Sequence, residues 1–373
     1  MKWTGAKGAG CLAAAVALLL AGCSQTATGH GATTTSSPAT SSSTTSPGTA
    51  QAPLTSGQMA AIVASTSTTN NKANASLDLR LLQSYESGSA LAIDAASYKE
   101  SASLAKSTCL YPPFGIKVLQ SAVAHWTSYP QSFVVLGSTY ELTPPKGCSS
   151  PAGSCPNADS IFEFERTALG APWKIVFEPA ADTGEILHLD TAGNATTQPA
   201  LGATGALPKS LANDLQYYEA TGSRGPLKAS YFTGKCWLVP DPRAAFEQYL
   251  RSGVNASQSY TAAAGQVSVP LSDNAALTMF TLDFETTLQP SAAGSTIDWV
   301  SDPAAEPVTG LLASGQYKRV VEHGALQVAA ETAGLSWTIL GAYDGVTSIT
   351  GTLGSPGAGS TTGGGVLVSY AVP

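Results

Sequence analysis

The stretch Trp173-Lys174-Ile175-Val176-Phe177-Glu178 puts Trp173, Ile175 and Phe177 on one face of a β-strand and Lys174 and Glu178 on the other, because side chains alternate along an extended chain. Working back from it, Lys117 to Leu119, Ser132 to Leu142 and Ser160 to Arg166 also read as strands. Ahead of these the periodicity changes. Met59, Ile62 and Val63, then Leu77, Leu81 and Tyr85, recur at helical spacing; Gly88 is read as the stop, a short helix is expected over Ala95 to Lys106, and Tyr111-Pro112-Pro113 breaks the chain. Helices followed by a meander of strands predict an α+β fold.

Working forward, the plan repeats. Leu211, Leu215 and Tyr218 mark a helix, and Asp241-Pro242 supplies an N-cap with proline at the first turn for a second helix carrying Phe246, Tyr249 and Leu250. Strands are expected at Gln266 to Val269, Leu277 to Thr287, Gln316 to Val321, Leu326 to Ala330 and Ser336 to Leu340. Gly170-Ala171-Pro172-Trp173-Lys174-Ile175 and Gly334-Leu335-Ser336-Trp337-Thr338-Ile339 close their halves in matching places, which suggests a duplicated unit. With Ala192 to Gly205 as the boundary, the expectation is two tandem α+β domains, 54–200 and 201–373, each with N-terminal helices on a curved, mainly antiparallel sheet. The second ends in a Gly/Ser/Thr tail, Gly351 to Gly365, and a last strand, Val366 to Val372.

Upstream of Leu54 nothing can bury a core. Ser24 to Pro53 is nearly all Ser, Thr, Ala, Gly and Pro, a tether that would reach about 30 Å as a flexible coil and about 90 Å as polyproline II. It starts at Leu20-Ala21-Gly22-Cys23, the small-residue-then-cysteine order of a lipobox, preceded by Lys2, Lys7 and an apolar run from Cys11 to Leu20 too short to span a bilayer. Residues 1–22 are thus expected to be a lipoprotein signal, Cys23 the lipidated first residue, and 23–53 a disordered tether. Such an anchor would hold the protein on the extracytoplasmic face of the cell membrane. The formal charge of -7 becomes -9 without Lys2 and Lys7, which argues against nucleic acid as a partner. In an oxidising compartment Cys109, Cys148, Cys155 and Cys236 favour two disulfides, with three connectivities to choose from. A Pro/Gly/Ser hairpin loop over Pro144 to Asp159 would be stapled by Cys148 and Cys155, leaving Cys109 for Cys236.

The opening Asn70-Asn71-Lys72-Ala73-Asn74, Asp78, Glu86-Ser87-Gly88, Asp94 and Tyr98, followed by Tyr111-Pro112-Pro113-Phe114 and Tyr129-Pro130, resembles a family of uncharacterised actinobacterial lipoproteins over most of residues 54 to 350. The order of helices and then curved sheet is similar to the cone-shaped domains named after nuclear transport factor 2, here two in tandem. The resemblance implies a fold and no activity, because that cone hosts enzymes, binders and scaffolds alike.

Catalytic motifs give no foothold. Ser103-Leu104-Ala105-Lys106, Ser272-Asp273-Asn274 and Arg251-Ser252-Gly253 imitate the penicillin-recognising set, but in the wrong order and split between the two halves. There is no G-x-S-x-G, H-E-x-x-H, P-loop or CxxC motif, so neither a cofactor nor a metal ion is expected. Glu163 with Glu165, and Asp283 with Glu285, read as solvated strand faces opposite phenylalanines. The open end of the first cone is the default pocket, with Asp94, Tyr98, His125 and Trp126 as binding residues. The expected function is a non-catalytic envelope module that binds a small molecule or a protein. The alternative is a hydrolase or isomerase built on an Asp/His dyad, for which Asp94, Glu86 and His125 are the candidates.

Overall fold

A computed structural model of the chain describes residues 54–102, 111–123, 129–143, 159–181, 206–223, 227, 253–271, 275–299, 311–333, 336–354 and 366–368. The lipobox, the tether, the four paired-cysteine candidates, His125, Trp126, the helix expected after Asp241 and the penicillin-type motifs, Gly253 of the third excepted, lie outside them.

Helix α1, Ser56–Ser76, begins at a capping box in which the Thr55 hydroxyl accepts from the Gln58 amide at 3.3 Å and Gln58 Oε1 accepts from the Thr55 amide at 2.8 Å. It ends where Leu77 turns left-handed, and Asp78 then caps α2, Leu79–Tyr85, by accepting from the Arg80 and Leu81 amides. Gly88 is not a stop. It is the first residue of α3, Gly88–Ser101, with φ +62°, so the helix begins well before the expected Ala95. A glycine between two helices tolerates the left-handed turn that starts one as readily as the turn that ends the other.

The strands are β1 Phe114–Val123, β2 Gln131–Glu141, β3 Asp159–Arg166, β4 Lys174–Phe177 and β5 Ala180–Ala181. After α4, Leu207–Thr221, come β6 Val254–Pro270, β7 Ala275–Pro290, β8 Ile297–Trp299, β9 Gly315–Ala333, β10 Ser336–Leu353 and β11 Val366–Val368. The fold is α+β, with helices and one large sheet in the order β1-β2-β3-β5-β10-β9-β7-β6, antiparallel throughout that path. The short β5 bonds β3 on one side and β10 on the other, so strands from both halves share one hydrogen-bonded sheet.

Two expected strands, Gln316 to Val321 and Leu326 to Ala330, are one continuous β9, and β10 runs beyond Leu340 through Gly351, where the tail was expected to start. Glycines inside these long strands are sites of close approach. A Cβ at Gly345, for example, would lie 2.6 Å from Ile93 Cγ2 of α3.

Alternation gives the sheet two faces, and both are covered. Met59 and Val63 of α1 and Ala90 of α3 pack with Phe133, Val135, Phe162, Phe164 and Ile175 on the outer face of the first-half strands. On the inner face Val134, Ile161 and Phe177 meet Val269, Leu277, Met279 and Ala329 of the second half, so Ile175 and Phe177, expected on one face, are divided between the two by a register shift in the β3–β4 pairing. The other side of the long strands takes α4, with Leu211 and Leu215 against Phe280, Leu282 and Val328. Covering both faces corrects one expectation: Glu163, read as solvated, is 4% exposed, because it shares the inner face with Val134 and Phe177. Asp283 is exposed and Glu285 half-exposed, as a solvated face requires.

A carboxylate cluster between the helices and the long hairpin

Three acidic side chains converge where α2, α3 and β4 meet β9 and β10. Glu86 follows α2 directly, and its backbone is pinned beside β4 by a parallel bridge to Ile175 and by the Ser87 amide donating to Ile175 O at 2.9 Å. Asp94 lies in α3 one residue after Ile93, whose side chain fills the space that Gly345 leaves. Glu178 follows β4, and its amide donates to Gln327 Oε1 at 2.9 Å.

The hairpin side of the site is a row of polar side chains. Thr281, Gln327 and Tyr343 are register partners across β7, β9 and β10 and so share one face. Tyr343 donates its phenolic proton to Asp94 Oδ1 at 2.6 Å. Gln327, fully buried, donates through Nε2 to Ser89 Oγ at 2.8 Å and to Val176 O at 3.1 Å, and Ser89 Oγ lies 3.0 Å from Thr281 Oγ1. Gln327 therefore ties α3 and β4 to the hairpin. A buried polar group with every bond made specifies its surroundings as no apolar residue can.

One carboxyl oxygen from each of Glu86, Asp94 and Glu178 lies within 4.8 Å of the other two. Glu86 is 1% exposed, and Asp94 and Glu178 are half-buried. Among the described residues no lysine, arginine or histidine pairs with any of them, and the nearby Lys174 ammonium is turned to Gln83 O at 2.6 Å. Burial pushes the Asp94 carboxyl up to about 6 even though Tyr343 donates to it. Glu86 is pushed well above the usual carboxylate range, first by burial and then by the charges of Asp94 and Glu178; burial and Asp94 do the same to Glu178. Glu86 Oε2 is buried and has no hydrogen-bond partner among the described residues.

Of the expected binding residues, Asp94 belongs to this cluster. Tyr98 is buried with its ring edge-on to Tyr111 at 5.7 Å, and its hydroxyl donates to Asn74 Oδ1. Tyr85 likewise donates to Asn70 Oδ1 at 2.7 Å, so the Asn-rich segment of α1 satisfies the phenols of the helical layer. The described histidine, His323, is half-exposed on β9, 3.8 Å from Glu285, and takes no part in the site. Glu178, Gln327 and Tyr343 escaped sequence reasoning. Glu178 read only as sharing a strand face with Lys174, and Tyr343 fell beyond the expected end of its strand. Gln327 did leave a signal, a lone amide inside the apolar run from Leu326 to Ala330.

Fold and site together define an α+β protein with a carboxylate cluster clamped between its helical layer and a long hairpin. The family model for the Domain of unknown function (DUF8094) matches residues 50–351, and the chain belongs to that family. No curated protein and no solved structure matches it.

Proposed function

We propose that this chain is a lipid-anchored, extracytoplasmic binding module of the cell envelope, held to the membrane through Cys23 and carrying its ligand site at Glu86, Asp94 and Glu178. The observation that carries the reading is the makeup of the cluster: three acids, the Tyr343 phenol, the Gln327 amide and the hydroxyls of Ser89 and Thr281, all fixed on separate elements by buried hydrogen bonds. The two hydroxyls bond each other, and Ser89 also Gln327, but none of the three carboxyl groups. Such a set is suited to holding a ligand. The lipobox supports the anchor, and no helix among the described residues is long and apolar enough to cross a membrane. The two halves are read as tandem cone-like units, supported by the likeness of Gly170–Ile175 to Gly334–Ile339 and by each half having helices over its part of the sheet.

Two measurements test this. Cys23→Ala moves the protein from the membrane fraction to the secreted or unprocessed pool; a variant that stays processed and membrane-bound overturns the anchor. The full chain, assayed with chromogenic ester, glycoside and peptide substrates, shows no turnover. Turnover that disappears in Asp94→Asn would replace the binder with the hydrolase alternative.

A further inference from the structure

We propose that Glu86, Asp94 and Glu178 hold one hard divalent cation of calcium's size, which locks the helical layer onto the β9–β10 hairpin. The inference deepens the binding reading and rests on it for the place of the site. Calcium takes oxygen ligands at about 2.3–2.6 Å, so two of its ligands lie at most about 5 Å apart. The three carboxyl oxygens, all within 4.8 Å of one another, fit on one such sphere.

An independent observation points the same way. The Glu86 carboxyl, which reaches Asp94 and Glu178, carries an oxygen that is buried and has no partner among the described residues. Buried polar atoms in native proteins are rarely left so, and an unfilled ion site is one of the few explanations. Glu163 Oε1 and Glu219 Oε2 are orphaned likewise, but of these acids Glu86 alone stands in a group of three possible ligands among the described residues. The ligands are also oriented from behind. Tyr343 donates to one oxygen of Asp94, and the Glu178 backbone is fixed by Gln327. Outer hydrogen bonds of this kind hold ligands in place in metal sites. With oxygen donors alone, the set disfavours zinc and copper, which prefer imidazole and thiolate. Magnesium demands a tight octahedron and gives up its water reluctantly, whereas irregularly placed carboxylates suit calcium.

The full chain, purified in detergent and stripped with a chelator, is titrated with calcium chloride by calorimetry and thermal unfolding. Saturable binding at one site and a rise of about 5 °C in the unfolding temperature at a hundredfold excess over Kd are expected. Glu178→Gln and Asp94→Asn lose at least about tenfold in affinity, and Tyr343→Phe, which keeps all three carboxylates, loses less. Glu219→Gln, on the opposite face of the sheet, binds as wild type does. No calcium binding, binding that survives both Glu178→Gln and Asp94→Asn, or tighter binding of magnesium or zinc overturns the proposal. Because substrate turnover is read separately, the cation site and the binder reading fail independently.

Discussion

Tyr343 and Asp344 are neighbours in β10 and therefore point to opposite faces of the sheet. On the helical face Tyr343 meets Asp94, behind which stand Glu86 and Glu178. On the α4 face Tyr260 of β6 donates to Glu219 Oε1 at 2.7 Å, with Asp344 near enough to raise the Tyr260 pKa further. Burial pushes both Glu219 and Asp344 up to about 7. The two faces use the same pair, a carboxyl and a phenol, to different ends. At Glu219 the phenol of Tyr260 answers one carboxyl oxygen, with Asp344 as the second acid of that face, and the bond serves to seat α4. At Asp94 one phenol answers one acid of three, and the surplus negative charge can be relieved only by protons or by a cation.

The largest effect is expected where the two halves are tied. Gln327→Leu leaves the Glu178 amide, Val176 O and Ser89 without their partner and costs about 3 kcal/mol in urea unfolding, since each orphaned buried group costs about 1–3 kcal/mol. A loss below about 1 kcal/mol would mean that the hairpin holds α3 and β4 by apolar packing alone.

Glu163 sharpens the comparison from another side, as a buried acid whose Oε1 lacks a partner among the described residues and whose pKa burial raises from 4.5 to about 8, with Glu165 adding to the shift. Its folded pKa lies above its unfolded one, so the folded state holds the proton more tightly. Stability is greatest below about pH 4.5 and is lost as pH rises towards 8. Glu163→Met removes the charge and the orphan oxygen at similar volume. It gains about 1–3 kcal/mol at pH 8 and much less at pH 4, with a flatter stability profile between. Equal effects at both pH values would show that burial does not raise the Glu163 pKa above its unfolded value.

Tyr260→Phe tests the self-contained pair and costs about 1 kcal/mol, the usual net worth of a side-chain hydrogen bond, without affecting the site across the sheet. The smallest effect is expected outside both sites, at Arg319 and Glu285, which meet at 3.5 Å with nearly half of each side chain in water. Arg319→Ala should change stability by less than about 0.5 kcal/mol.

The sequence by itself determined the α+β class, the order of helices before strands, most strand centres and Asp94 as a functional candidate. Local rules suffice for these: a period of 3.6 or of 2 is a property of neighbouring residues and survives without knowledge of the rest of the chain. What only the tertiary structure decided depends on residues far apart in sequence. Glycines 324, 341 and 345 fall where the expected strands stop short, yet each lies inside a long strand where another element comes within reach of that position. Glu163 looked solvated because alternation tells which face a side chain takes and not what covers that face. The carboxylate cluster joins positions 86, 94 and 178 to a tyrosine at 343, and no local pattern foretells that meeting. It exists because β5 carries the sheet from one half to the other, bringing β10 under α3.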